Sequence, residues 1–295
     1  MLKRLTASYT LALLALIVVL GSCKKEYDSI RTTDDAQLKQ YVQNSQLQFV
    51  ADTSGFYYNV SNPATGDTFK NTDSVFYTVA LKSLKNATVY FESPALGNLG
   101  TYVAYTNNFN SLINIPAIRT TMLALKPGGT GRILLPSYLA FGRNGYSAYN
   151  IPSNELLELV VTTFPERSQA ALDDTRIKAF IAAKNITGMV KHPSGVYYSI
   201  IKPGTGLDII NAGSNVTAIY EGRFLDGKVF DASTTGINFT LNQVIPAWTK
   251  IVPMLKVGGK VRIIAPSGQA YGIAGQNAVP PNAVLDFDIE VTKLN

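Results

Sequence analysis

The sequence predicts an α+β chain made of two tandem copies of one domain. Three observations carry this: a degenerate repeat through most of the chain, strand-period alternation inside each copy, and one apolar segment per copy that opens on a proline suited to a helix start. With 295 residues, 46% of them hydrophobic and 16% charged, the chain has enough material for two cores rather than one.

Taken in order, the chain begins with a basic head, Lys3 and Arg4, then an uninterrupted apolar run from Leu11 to Leu20 that closes on Gly21-Ser22-Cys23. That run is short beside the about 20 apolar residues of a spanning helix, so 1–22 reads as a signal peptide. Leu20 to Cys23 resembles the bacterial lipobox, which implies cleavage before Cys23 and lipidation of that residue, the only cysteine. Acyl chains would then hold the protein on a membrane without a spanning segment. Residues 23–33 read as a linker. Losing 1–22 takes the basic residues from 26 to 24 against 20 acidic ones, a modest and unclustered excess that argues against nucleic acid as a partner.

The first copy is expected over 34–165 and the second over 170–295. Asp34-Asp35, Leu38, Tyr41 and Val42 match Asp173-Asp174, Ile177, Phe180 and Ile181, each an acidic start followed by helix-spaced apolar residues. Ser54 to Tyr58 matches Ser194 to Tyr198. Further on, Pro116-Ala117, Gly128-Gly129, Pro136 and Gly142 match Pro246-Ala247, Gly258-Gly259, Pro266 and Gly272. The offset shortens between Gly66 and Pro116, which places a longer connection in the first copy, around Tyr105 to Ser111. Within the second copy, Val216, Ala218 and Tyr220 alternate as in a strand, Asp226-Gly227 marks a hairpin turn, and a helix is expected from Pro246 to no later than Gly258-Gly259.

One cysteine and one histidine, His192, leave no Cys/His metal cluster, internal disulfide or Cys/His catalytic couple. Instead, aromatic residues from distant segments gather around Trp248, the only tryptophan. Taken singly, each of these aromatics reads as sheet core.

Together they carry a resemblance. Val216 to Tyr220, Asp226 to Ser233, Val244-Ile245-Pro246-Ala247-Trp248, Lys256 to Lys260, Ala270-Tyr271-Gly272 and Val279 to Asn282 with Leu285 and Phe287 are similar, in order and spacing, to the FKBP-type peptidyl-prolyl cis-trans isomerases. The resemblance covers 190–295 and implies, for each copy, an antiparallel sheet curled around a short helix. It implies a pocket lined by Tyr220, Phe230, Asp231, Phe239, Val244, Ile245, Trp248, Tyr271 and Phe287, with Val279, and less closely Ala278, on a covering flap. Trp248 would seat a proline ring. The Ile245 N–H and Tyr271 hydroxyl would meet substrate carbonyls, and Asp231 would orient a tyrosine hydroxyl or polarise the substrate. No cofactor is needed. The partners implied are Xaa-Pro segments of unfolded envelope proteins and, for the family, macrolide inhibitors. Departures are Ala247 where the family has glycine, a short loop after Tyr271, and Pro253 in the helix.

The first copy has Ile118, Phe141 and Leu159 where the second has Trp248, Tyr271 and Phe287, and at best a glutamate, Glu92, near the Asp231 position. It is therefore expected to keep the fold without efficient catalysis, as a spacer, a dimerisation surface or a holdase. The leading reading is a lipid-anchored prolyl isomerase of the cell envelope, facing the periplasm or the surface, with the outer membrane favoured because no aspartate follows Cys23. The alternatives are a non-catalytic lipoprotein that holds proline-containing segments, and a structural envelope lipoprotein.

Overall fold

The computed structural model describes residues 28–63, 65–109 and 113–295. The expected signal peptide and Cys23 lie outside the described residues. A helix, α1, occupies 28–44. It is followed by β1 (Val50–Ala51), β2 (Tyr57–Ser61), β3 (Ser74–Ser83), β4 (Val89–Glu92), β5 (Leu99–Tyr102), β6 (Asn108–Phe109), β7 (Ile113–Asn114), α2 (Pro116–Ala124), β8 (Thr130–Leu135) and β9 (Leu157–Thr163). The second half runs α3 (Gln169–Ala183), β10 (Val190–Lys191), β11 (Tyr197–Lys202), β12 (Asn215–Phe224), β13 (Val229–Thr240), α4 (Pro246–Ile251), β14 (Lys260–Ala265) and β15 (Leu285–Leu294).

Both halves are antiparallel sheets of the same order. The first reads β1-β2-β8-β9-β3-β4 and the second β10-β11-β14-β15-β12-β13. Each sheet carries its short helix on one face: Ile118 and Met122 of α2 enter the first core, Trp248 and Ile251 of α4 the second. The alternating pattern expected for Val216 to Tyr220 is the alternating burial of β12, since successive side chains of a strand point to opposite faces. Asp226-Gly227 makes the turn from β12 to β13. Gly227 takes φ 93°, a region open to glycine, and the Asp226 carboxylate accepts the Lys228 N–H at 2.9 Å.

Two details refine these expectations, each with a physical cause. α4 starts at Pro246 as expected but ends at Ile251, well before the Gly258-Gly259 turn, and gives way to a 3-10 turn over Val252–Met254. Pro253 has no N–H to donate, and its ring crowds the carbonyl one turn back. α2, with no internal proline, runs to Ala124. In the first copy the extra chain is not confined to the segment near Tyr105. The edge strand that is continuous in the second copy as β13 is split into β4 and β5, which pair with opposite ends of β3, and the loop over 93–98 lies between them.

Each sheet is also backed by the helix that precedes it, through the same contact. Asp34 Oδ2 of α1 accepts the Ser137 N–H at 2.8 Å and its hydroxyl at 2.6 Å. Asp173 Oδ2 of α3 does the same for Ser267 at the same distances. Ile177, Phe180 and Ile181 of α3 pack with Tyr197, Ile264 and Val284 on the sheet face away from α4. The acidic pair recognised at the start of each copy thus serves as a clamp between helix and sheet.

Candidate active site

The ring of side chains around Trp248 begins with strand register. Tyr220 and Gly222 lie on one face of β12, and Gly222 is paired on one side with Asp231 of β13 and on the other with Phe287 of β15. A Cβ on Gly222 would stand 2.8 Å from Phe287 Cε1 and 2.9 Å from Phe230 Cζ, so the missing side chain is what lets both rings occupy the space above the strand. Sequence reasoning did not single out Gly222. Its signal was a glycine inside a strand-period run, the mark of a close approach.

α4 then brings the indole onto this face. Pro246 at the first helical position holds Ile245 extended, with φ -58° and ψ 145°, and the buried Ala247, Trp248 and Ile251 form the inward stripe of the helix. The Trp248 ring centroid is 5.3 Å from Tyr220, 5.3 Å from Phe239 and 5.7 Å from Phe287, at interplanar angles of 78°, 72° and 89°. Phe230 meets Phe287 at 5.7 Å and 85°. Edge-on contacts of this kind add about 0.5–1.5 kcal/mol each beyond their buried area. They set three aromatic rings around the indole. Trp248 is 4% exposed, and its Nε1 is buried without a hydrogen-bond partner among the described residues.

The resulting cleft has a volume of about 480 Å³. Of the residues expected to line it, Tyr220, Phe230, Asp231, Phe239, Val244, Ile245, Trp248, Tyr271 and Phe287 all do so. Gln243, Pro246, Ala270 and Gln276 also line it and were not foreseen. Val279 is placed differently from the expectation: at 6% exposure it belongs to the core beneath the loop, and Gln276 is the loop residue on the cleft wall, while Ala278 is exposed.

Asp231 is exposed at the rim rather than buried, because its position on β13 is at the edge of the sheet. Its Oδ2 accepts a hydrogen bond from the Tyr220 hydroxyl at 2.8 Å, so the carboxylate does orient a tyrosine. Burial, then Asp231, then Tyr271 push the Tyr220 phenol well above its ordinary range. Burial followed by the Asp231 charge also raises Tyr271. Both hydroxyls therefore remain protonated donors at neutral pH. Among the described residues the Ile245 N–H has no hydrogen-bond partner, whereas its carbonyl takes the first N–H bond of α4 from Trp248 at 3.0 Å. The cleft thus offers an apolar floor and, among its donors, the Ile245 N–H and the Tyr271 hydroxyl. No group of three or more potential metal ligands is found among the described residues.

The corresponding region of the first copy is filled. Leu81 pairs with Leu159 as Gly222 pairs with Phe287, so an isobutyl group, fully buried, occupies the space that glycine leaves open. Ile118 is 2% exposed under it. Leu81 also pairs with Phe91, which puts a phenyl ring at the Asp231 position and leaves Glu92 one residue further along, exposed.

Comparison with known proteins agrees with this geometry. A family model described as FKBP-type peptidyl-prolyl cis-trans isomerase matches residues 208–292. An FKBP-type peptidyl-prolyl cis-trans isomerase, FkpA of Escherichia coli strain K12, is 36% identical over 107 residues, 35% of this chain and 39% of that protein. FK506-binding protein 1 of Candida glabrata is 37% identical over 107 residues, 34% of this chain and 94% of that protein. A crystal structure of FkpA from Escherichia coli aligns with 43% of this chain and 61% of its own at 32% identity and a TM-score of 0.39. In sequence, the chain spans about 40% of the length of the FkpA proteins of Escherichia coli and Aeromonas hydrophila. With a complete small relative covered almost from end to end and the cleft built from the matched segment, the chain belongs to the FKBP-type peptidyl-prolyl cis-trans isomerase family.

Proposed function

We propose that the chain is a prolyl isomerase that assists protein folding in the bacterial cell envelope. Its second domain, 170–295, is catalytic, and its first, 34–165, has the same fold without a working cleft. The observation that carries this reading is the boxed indole of Trp248 beside an oriented Tyr220–Asp231 pair.

Rotation about a peptide bond faces a barrier of roughly 18–20 kcal/mol because twisting destroys amide resonance. Uncatalysed prolyl isomerisation accordingly takes on the order of tens of seconds or longer. The planar amide has a charge-separated form that water stabilises, and the twisted amide has less of it. A dry aromatic cleft favours the twisted state relative to the planar one, without a nucleophile or a proton transfer. Trp248 receives the proline ring, with Phe239, Phe287, Tyr220, Phe230 and Val244 as walls. The Ile245 N–H and the Tyr271 hydroxyl take the carbonyls flanking the proline and hold a bent conformer. Asp231, by fixing the Tyr220 hydroxyl, keeps one wall in place and puts a negative charge at the rim.

The substrates in this reading are Xaa-Pro segments of partly folded envelope proteins, and a macrolide of the kind named for FK506-binding protein 1 would compete for the cleft. Cys23 carries the lipid anchor, with the outer membrane favoured. No helix among the described residues is long and apolar enough to cross a membrane. The test is the cis-to-trans rate of a short Xaa-Pro peptide in the presence of the folded protein: acceleration supports the enzyme, while peptide binding without acceleration leaves a proline-binding lipoprotein in its place. The mass of the membrane-extracted protein tests the anchor, and an unmodified Cys23 would exclude it.

A further inference from the structure

The 93–98 loop that splits the first copy's edge strand reaches across to the second copy. Leu96 packs against the second core. The Asn98 N–H donates to the Pro281 carbonyl at 3.2 Å, and Asn282 Nδ2 donates to the Asn98 carbonyl at 3.0 Å. Gly97 lies so close to Pro281 that a Cβ would overlap its carbonyl oxygen, with Pro280 Cβ 3.3 Å away. Asn98 and Asn282 are 2% and 4% exposed. From behind, α3 fixes the loop: Arg176 Nη1 donates to Asn98 Oδ1 at 2.8 Å and Nη2 to the Gly97 carbonyl at 3.3 Å, while the Gln169 and Asn98 amides bond each other at 2.8 and 3.2 Å.

The segment held in this way is the loop beside the cleft. The Asn282 N–H donates to the Gly272 carbonyl at 2.8 Å, one residue from Tyr271. Gln276 and Val279 exchange backbone hydrogen bonds at 2.9 and 2.8 Å, and a Cβ on Gly275 would meet the backbone of Val279, Pro280 and Pro281. Residues 271–282 therefore form one closed loop. Tyr271 and Gln276 are on its cleft side, and Pro281 and Asn282 on its first-copy side.

We infer that Gly97 and Asn98 of the first copy are positioning residues for the second copy's cleft, bracing loop 271–282 so that Tyr271 and Gln276 are preset against the substrate. This rests on the isomerase reading for its consequence in catalysis, and it gives the first copy a role that needs no cleft of its own. Preset groups bind with less ordering cost than mobile ones, so the brace acts on substrate affinity. The chemical step, governed by the dry floor around Trp248, is left alone.

Two variants of the full chain test it. Gly97→Ala drives a methyl group into the Pro281 carbonyl, and Leu96→Ala removes a half-buried contact at little risk to the first fold. Amide hydrogen exchange in 271–282 is expected to rise by about tenfold, with exchange in β12 and β15 as in the wild type. For an Xaa-Pro peptide, KM is expected to rise by about three- to tenfold with kcat little changed. Unchanged exchange in both variants overturns the inference, and so does faster exchange with unchanged KM. A wild-type protein that does not accelerate isomerisation defeats the enzyme reading instead. The brace is then decided by exchange together with titration of the same peptide against Trp248 fluorescence. If Gly97→Ala unfolds either copy, Leu96→Ala decides alone.

Discussion

At the scale of residues, the two copies differ by a few side chains on a common frame. Gly222 against Leu81, Trp248 against Ile118 and Asp231 against Phe91 separate an open cleft from a filled one. Gly222→Ala is expected to push Phe230 and Phe287 into the cleft at a cost of about 1–3 kcal/mol, the usual range for overpacking. A lower midpoint of urea unfolding and a raised KM for an Xaa-Pro peptide would check it. The raised pKa values of Tyr220 and Tyr271 carry a second prediction. Their hydroxyls stay protonated above the ordinary phenol range, so kcat/KM should not fall as pH rises through about 10. A decline centred there, with the fold intact by circular dichroism, would contradict the assigned donors. Trp248 and its aromatic partners were legible in the sequence because the single tryptophan and the aromatic residues around it stand in a recognisable order. Gln276 and Gly222 were not, since a polar loop residue and a small strand residue gain their meaning only from what the fold sets beside them.

At the scale of elements, strand alternation, the Asp226-Gly227 turn and the proline start of α4 could all be read locally, because each is fixed by neighbours in sequence. The end of α4 was only bounded in the sequence, at no later than Gly258-Gly259, and Pro253, the proline noted within the helix, sets it at Ile251. The division of the first copy's edge strand into β4 and β5 was invisible, since the loop between them makes its contacts with the other copy rather than with its neighbours in sequence. The repeated Asp–Ser clamp gives a prediction here. Asp173→Ala would strand the buried Ser267 N–H and hydroxyl, a cost of about 1–3 kcal/mol for each unsatisfied group, seen as destabilisation in urea and faster exchange in α3. Its neighbour Asp174 is raised by burial, but hydrogen bonds from Lys178, Lys191 and Tyr197 outweigh this and hold its carboxyl well below the usual range. A depressed carboxylate pKa gives stability that is present above the ordinary value, near about 4, and lost as pH falls further. The wild type should therefore lose this contribution of Asp174 to α3 docking on acidification below that point, and Asp174→Asn should flatten this part of the stability profile. An unchanged profile would remove Asp174 from the clamp.

At the scale of the whole molecule, the duplicated order of strands was accessible from the aligned glycines and prolines, which survive in both copies because turns need them in either context. How one copy bears on the other was not accessible, since the contact through Gly97, Asn98, Pro281 and Asn282 joins segments with no pattern in common. The molecule is thus asymmetric in build: one sheet surrounds an open aromatic cleft, and the other has the same strands closed over aliphatic side chains. The most direct test is the catalysed cis-to-trans rate of one Xaa-Pro peptide in the wild type, Asp231→Leu and Phe91→Leu, the last two placing the same side chain at matching positions of the two copies. The account predicts acceleration by the wild type, a loss of about tenfold or more in Asp231→Leu, in keeping with the about 1.5–3 kcal/mol of a hydrogen bond to a charged group, and no loss in Phe91→Leu. No acceleration by the folded wild type, or full activity in Asp231→Leu, would contradict it.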